Sequence, residues 1–272
     1  MAKSKTSKGS YYRPKRNFDK SVRAIVKDEL SDEIEEKHAI TEYSNVFIKR
    51  AIPSGTVLNG QGNYFKILPE ISQSTTGGAG RAYNERIGNE IKLKGIQLTG
   101  IINYAGTNTQ QIDVADAKLA VRVMIVKAKE FGSDELAFDN MPADSLLRFG
   151  FQTGSSGPTA FNGNALDPWR AINRDTFSVR YDKVFYLDAP VLSPGVTSVD
   201  VSHIPSRSRL FRHNLKFGEN GIKIKYSASS DDTPNNFPYF MVVGYSSCSS
   251  TSNPANDLVR VTMSCVGTYT DA

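Results

Sequence analysis

Histidine and cysteine are nearly absent from this chain, with three of one and two of the other in 272 residues. His38, His203 and His213 lie far apart, and none has a partner at metal-ligand spacing, which argues against a zinc site or any resident metal. Cys248 and Cys265 are too few to make a disulfide framework in a chain this long. Free, reduced thiols are expected, as in a protein assembled in a reducing compartment. Long apolar runs are also missing. None approaches the roughly 18 residues of a membrane helix, and the N-terminus has no apolar stretch of the secretory kind. No Asn-x-Ser/Thr sequon occurs. A soluble protein made inside a cell and without a membrane partner is expected.

Nucleotide and nucleophile motifs are incomplete. Gly60-Gln-Gly62-Asn-Tyr-Phe lacks the third glycine of a dinucleotide fingerprint, and Gly77-Gly-Ala-Gly80-Arg81 does not run on to Gly-Lys-Ser/Thr. Gly244-Tyr-Ser-Ser-Cys248 is not the Gly-x-Ser-x-Gly of a nucleophile elbow. Asp231 and Asp232 sit in a Ser/Asn/Pro turn, where solvated carboxylates are ordinary. No cofactor is implied, and a non-enzymatic protein is expected.

Acidic residues are scarce where basic ones are dense. Residues 1–27 hold nine Lys/Arg and a single acid, Asp19. Such a segment has too few apolar residues to offset the entropy of ordering it, so a disordered arm over residues 1–20 is expected. Its seven basic positions, Lys3, Lys5, Lys8, Arg13, Lys15, Arg16 and Lys20, together with Arg23 just beyond it, make a polycation of eight charges suited to a nucleic-acid backbone. Tyr11 and Tyr12 stand among them as candidates for stacking on unpaired bases. A solubilising tail or a nuclear-import signal centred on YYRPKR uses the same residues. The next stretch, 28–42, reverses the sign with seven acids and only Lys37.

Val22, Val26, Leu30 and Ile34 recur every four residues, which predicts an amphipathic helix over Lys20–Ile40 with Asp19 as N-cap and a Glu33–Lys37 pair. From Tyr43 the period becomes two. Eight to ten strands follow, and KLAVRVMIVKA (118–128) has the strongest pattern: Leu119, Val121, Val123 and Ile125 on one face, Arg122 on the other. Ile91 and Leu93 fall out of phase with Ile96 and Leu98 at Gly95, the signature of a β-bulge. Residues 130–175 read as a long irregular connection, with short helices over 142–149 and 165–172 and a small local core around Trp169. Many strands, few helices and no strand–helix–strand rhythm predict an all-β antiparallel sandwich, and the long connections favour a jelly roll. The expected organisation is an arm (1–20), a helix or linker (21–42) and a jelly-roll domain (43–272).

In order and spacing, RIGNEIKLKGIQLTG (86–100), AVRVMIVKAK (120–129), DNMPADSLLRFG (139–150) and RDTFSVRYDKVFYL (174–187) resemble the capsid proteins of circular Rep-encoding single-stranded DNA viruses, the CRESS-DNA group with its circovirus-like and environmental members. NNFPYFMVVGY (235–245) and LVRVTMSCVGTYTDA (258–272) extend the resemblance over nearly the whole chain. The arm departs from that pattern, being shorter and richer in Lys than the long Arg tracts of many relatives. The resemblance implies a jelly-roll subunit that self-assembles into an icosahedral shell of about 60 copies. The shell would enclose the viral single-stranded DNA genome. It also implies residence in the virion, assembly in the host nucleus and an encounter with a host import receptor. Lys92, Lys94 and Arg122 are candidates to line the interior or to be solvated surface. Two other readings remain open at this point: a coat protein of a small RNA virus, and a cellular sandwich that is either a lectin-like module or a carbohydrate-active enzyme.

Overall fold

The computed structural model describes residues 22, 23, 25, 36–52, 63–73, 85–105, 113–150, 156–189, 207–218 and 220–271. The chain divides into two units, Met1–Glu36 and Lys37–Ala272. In the first, Val22, Arg23 and Ile25 are helical, inside the stretch where the helix is expected. Asp19, Val26, Leu30 and Ile34 lie outside the described residues.

Among the described residues the second unit has eleven strands, beginning with β1 (Lys37–Ile48), β2 (Tyr64–Lys66), β3 (Glu90–Tyr104) and β4 (Lys118–Ala128). Next come β5 (Leu147–Gly150), β6 (Ser156–Thr159), β7 (Phe177–Asp188) and β8 (Ser208–Lys216). The last three are β9 (Ile222–Lys225), β10 (Tyr239–Ser247) and β11 (Val259–Asp271). One sheet runs β1-β11-β3-β8, with β9 also paired to β3, and the other runs β2-β10-β4-β7. Set aside the β5–β6 hairpin and treat β9 as a continuation of β8. Eight strands then remain, first beside last and third beside sixth in one sheet, second beside seventh and fourth beside fifth in the other. This double Greek key is a jelly roll, and the antiparallel sandwich expected from the sequence is the fold observed.

The first strand starts earlier than expected. Lys37–Tyr43 pairs with β11, so the sheet domain opens at Lys37 and not at Tyr43, and the helix cannot run to Ile40. Lys37 does not sit in a helical pair with Glu33. Its Nζ is 2.6 Å from the Asp271 carboxylate and donates to the Glu85 carbonyl at 2.9 Å. The phase shift at Gly95 is a real bulge. Leu93 pairs with Tyr269 and Gly95 with Thr268, leaving Lys94 as the extra residue. The neighbour of β3 changes at the same place, from β8 on one side of the bulge to β9 on the other.

Two hydrophobic cores result. The first lies between the sheets and includes Leu93, Leu98, Val121, Val123, Tyr245, Val261 and Cys265. The second lies on the far side of the β10–β4 sheet. There Met124, Val126, Phe240 and Val242 are covered by Ile52 and by the connection between β4 and β7, through Met141, Leu146 and Phe161. That connection folds as a helix Asp134–Asn140 capped by Ser133, two single turns of 3₁₀ helix, and the β5–β6 hairpin. The outer face of the β1-β11-β3-β8 sheet has no such cover from the described residues. Ile40, Ile101 and Leu210 stand 60%, 42% and 67% exposed on it.

Candidate nucleic-acid interface

Of the ten residues assigned to nucleic acid from the sequence, Lys3, Lys5, Lys8, Tyr11, Tyr12, Arg13, Lys15, Arg16 and Lys20 lie outside the described residues. Arg23 is described, helical and exposed. The cations of the sheet domain sort into those consumed by the fold and those left for a partner.

Arg86 is wholly buried and held without a carboxylate. Its guanidinium donates to the carbonyls of Ile71, Gly88, Ala228 and Asp231 and lies 4.1 Å over the Tyr226 ring. It fastens the 226–232 turn to the start of β3. Nothing in the sequence marks this role, because most of the acceptors are main-chain carbonyls, joined by the Gln73 and Asn89 side-chain oxygens, and the 228–231 carbonyls come from a distant segment.

Arg122 corrects the expectation of an interior-lining or solvated residue. It is only 4% exposed. Its Nε and one terminal nitrogen grip both Asp182 oxygens at 2.7 and 2.6 Å, and the other terminal nitrogen donates to the carbonyls of Asp167 and Arg170. This ties β4, β7 and the long connection together, so Arg122 is spent on structure. Asp167 beside it accepts from the main-chain N–H of Asn162 and Asn164 and from Arg170. Burial raises its pKa above the ordinary carboxylate value. Asp167 and Pro168 take the inward places of this 3₁₀ turn, which leaves Trp169 53% exposed and not in a local core.

On the uncovered sheet face, Lys92, Arg212 and Lys216 point outward and make no ion pair among the described residues. Lys223 and Lys225 flank Glu90, whose pKa is lowered by the Lys223 contact. Lys94 is half-buried at the bulge. A further group of cations surrounds one aromatic ring. Lys127 Nζ and the Arg180 guanidinium each lie 5.6 Å from the centre of the Tyr239 ring, and Arg180 donates to the Tyr239 hydroxyl at 3.2 Å.

Both thiols are unpaired, as expected. Burial pushes the Cys265 thiol up to about 12, so it is inert, and it raises that of Cys248 in the same sense. Among the described residues no group of three or more His, Cys, Asp or Glu is placed to hold a metal ion, and no helix is long and apolar enough to cross a membrane.

No family model and no curated protein matches the chain. Among solved structures it is similar to PNGF-II, at 11% identity and a TM-score of 0.36, covering 90% of this chain and 36% of that one. It is similar to the full particle of Israeli acute paralysis virus heated to 63 degrees, at 13% identity and a TM-score of 0.29, covering 99% of this chain and 81% of that one. It is similar as well to the KBV activated particle at acidic pH, at 12% identity and a TM-score of 0.29, covering 100% and 82%. The chain spans about a third of the length of PNGF-II. Likenesses at these TM-scores carry no functional argument, and the jelly roll stands on strand order alone.

Proposed function

We propose that the chain is a viral coat protein, structural and not catalytic. Its jelly roll would associate into a small icosahedral shell, and residues 1–27 would neutralise a packaged single strand. The observation that carries this reading is the pairing of a complete eight-strand jelly roll with a segment of nine Lys/Arg and one acid in the unit ahead of its first strand. A cellular lectin-like sandwich has no use for such a segment. The packaged strand is taken to be circular DNA, on the resemblance to CRESS-DNA capsid proteins, with virion residence and assembly in the host nucleus following from the same source. About 60 arms bring about 480 positive charges, so a longer genome also draws on cations of the sheet domain or on small counterions.

The test is to purify the full chain and examine it by size-exclusion chromatography and negative-stain microscopy. Uniform closed particles of megadalton size are expected, with contents degraded by DNase and not by RNase once the particles are opened. A stable monomer or dimer across salt and pH, with and without nucleic acid, overturns the coat-protein reading. RNase-sensitive contents keep that reading and replace DNA with RNA.

A further inference from the structure

We infer that a cleft at one end of the sandwich, between Lys127 and Lys129, is a second binding site for single-stranded nucleic acid, seating one nucleotide of the strand. This rests on the packaging reading for the identity of its ligand. The cleft has a volume of about 350 Å³ and is lined by Lys127, Lys129, Phe131, Ser178, Asn236 and Pro238, with no carboxylate. Two of these, Lys127 of β4 and Ser178 of β7, are cross-strand partners, and Lys127 pairs on its other side with Tyr239 of β10.

The charge here is uncompensated. Lys127 and Arg180 rest against the Tyr239 ring, which orients both cations and removes none of their charge. Lys129 donates to the Arg174 carbonyl at 2.6 Å, again with no counter-charge. No ion pair engages any of the three among the described residues. Glu130, between Lys129 and Phe131 in the chain, is exposed and does not line the cleft. Several other cations of the domain are paired, Lys37 with Asp271, Lys49 with Asp257, Arg122 with Asp182 and Arg170 with Asp167, while Lys92, Arg212 and Lys216, unpaired among the described residues, lie on the open sheet face and do not line this cleft.

The shape selects the ligand. Lys127 and Lys129 at the opening, with Arg180 against the same Tyr239 ring as Lys127, suit a phosphate or sulfate group, and the volume exceeds what a lone phosphate fills. Phe131 and Pro238 make the apolar part of the remaining wall. A phosphate held by Lys127 and Lys129, with its base against Phe131, satisfies both halves of the cleft. The Asn236 amide is already committed, since its oxygen accepts from Lys225 N–H and its nitrogen donates to the Lys223 carbonyl, both at 2.8 Å. These bonds hold the Asn236 side chain in place as part of the wall, and stacking on Phe131 with phosphate held by the lysines makes binding largely independent of sequence.

The experiment uses the full chain and an oligothymidylate carrying 5-iododeoxyuridine, which couples to neighbouring aromatic side chains on irradiation. Peptides are then mapped by mass spectrometry. Crosslinks are expected at Phe131 as well as in residues 1–27. In Lys127→Gln/Lys129→Gln the yield at Phe131 falls by about tenfold while that in residues 1–27 is unchanged, and the slope of log K against log salt shallows by about 1.4. Lys129→Gln alone and Arg180→Gln, which alter exposed side chains, show the same direction should the double variant fold poorly. No crosslink at Phe131, an unchanged yield in all the variants, or a cleft occupied by a heparin fragment that oligothymidylate does not displace overturns the site. Coupling confined to residues 1–27 leaves packaging standing and removes only this inference. Absence of nucleic acid from wild-type particles removes the packaging reading itself.

Discussion

Asp134 opens the helix Asp134–Asn140, yet it is only 3% exposed. Burial lifts its pKa from the ordinary carboxylate range to about 6, against the smaller opposing pull of Lys66 and of the main-chain N–H groups, including that of Glu135. The sign follows from linkage. A carboxyl whose folded pKa is raised binds its proton more tightly in the fold than in the unfolded chain, so it favours the fold at low pH. That advantage is lost as pH climbs from about 4 to about 6. Asp134→Asn removes the titration and keeps an oxygen to accept from Glu135. The difference in unfolding free energy between this variant and the wild type is therefore expected to be small near pH 4 and to reach about 3 kcal/mol in favour of the variant above pH 6. Urea titrations at several pH values measure it, and a difference that does not change with pH sinks the assignment. No residue pattern announces this. Ser133-Asp-Glu reads as an ordinary acidic first turn, and only packing against the 233–238 segment shuts out water. Arg122 shows the same limit. Its place on the opposite face of β4 from the apolar row was legible, but its partner, Asp182, belongs to another strand. Whether that face met solvent depended on a connection with no periodicity of its own.

At the scale of the element, strands with strong alternation could be read directly, and so could the bulge, because a one-residue phase shift is a local property of β3. The start of β1 was hidden. Within Lys37–Thr41 the inward position is taken by the small Ala39, while the larger Ile40 faces out at 60% exposure. The four-residue spacing of Val22 to Ile34 therefore ran on unopposed. The second core was hidden for a different reason, since it is assembled by contacts across the sheet and not by any run of residues. Gly244 is a tight point in it. A Cβ there would lie 2.7 Å from Phe161, a ring buried on all sides. Gly244→Ala is expected to cost about 1–3 kcal/mol, because Phe161 has no free volume to move into. Gly150→Ala, where a Cβ meets nothing within 4 Å, is the matched control and should change stability by less than about 0.5 kcal/mol. Equal urea midpoints for the two variants would show that Phe161 yields easily.

For the whole molecule, positive charge is concentrated at one end of the sequence. If residues 1–23 bind as a screened polycation, affinity depends on the number of charges and not on base sequence. Engaging all eight basic positions gives a slope of about −5 to −6 in log K against log salt for single strands. Lys3→Ala/Lys5→Ala/Lys8→Ala should shallow it by about 2, with equal losses on unrelated sequences. Deleting residues 2–16 should leave shells that form but absorb less at 260 nm relative to 280 nm. An unchanged ratio would remove packaging from this segment and leave nuclear import as the better account of YYRPKR.

The two sheets also differ in how they would let go of their amide protons. Every residue of β10 is buried and nearly every residue of β4 is, since one face of each meets the central core and the other meets the chain's own 129–176 connection. On β8 only Phe211 and Leu215 are buried, and on β1 only Ala39 and Ile48. In deuterated solvent the amides of β4 and β10 should therefore exchange last, through global unfolding, while those of β8 and β1 exchange through small openings at the sheet margins. The molecule would come apart from its bare sheet toward its covered one.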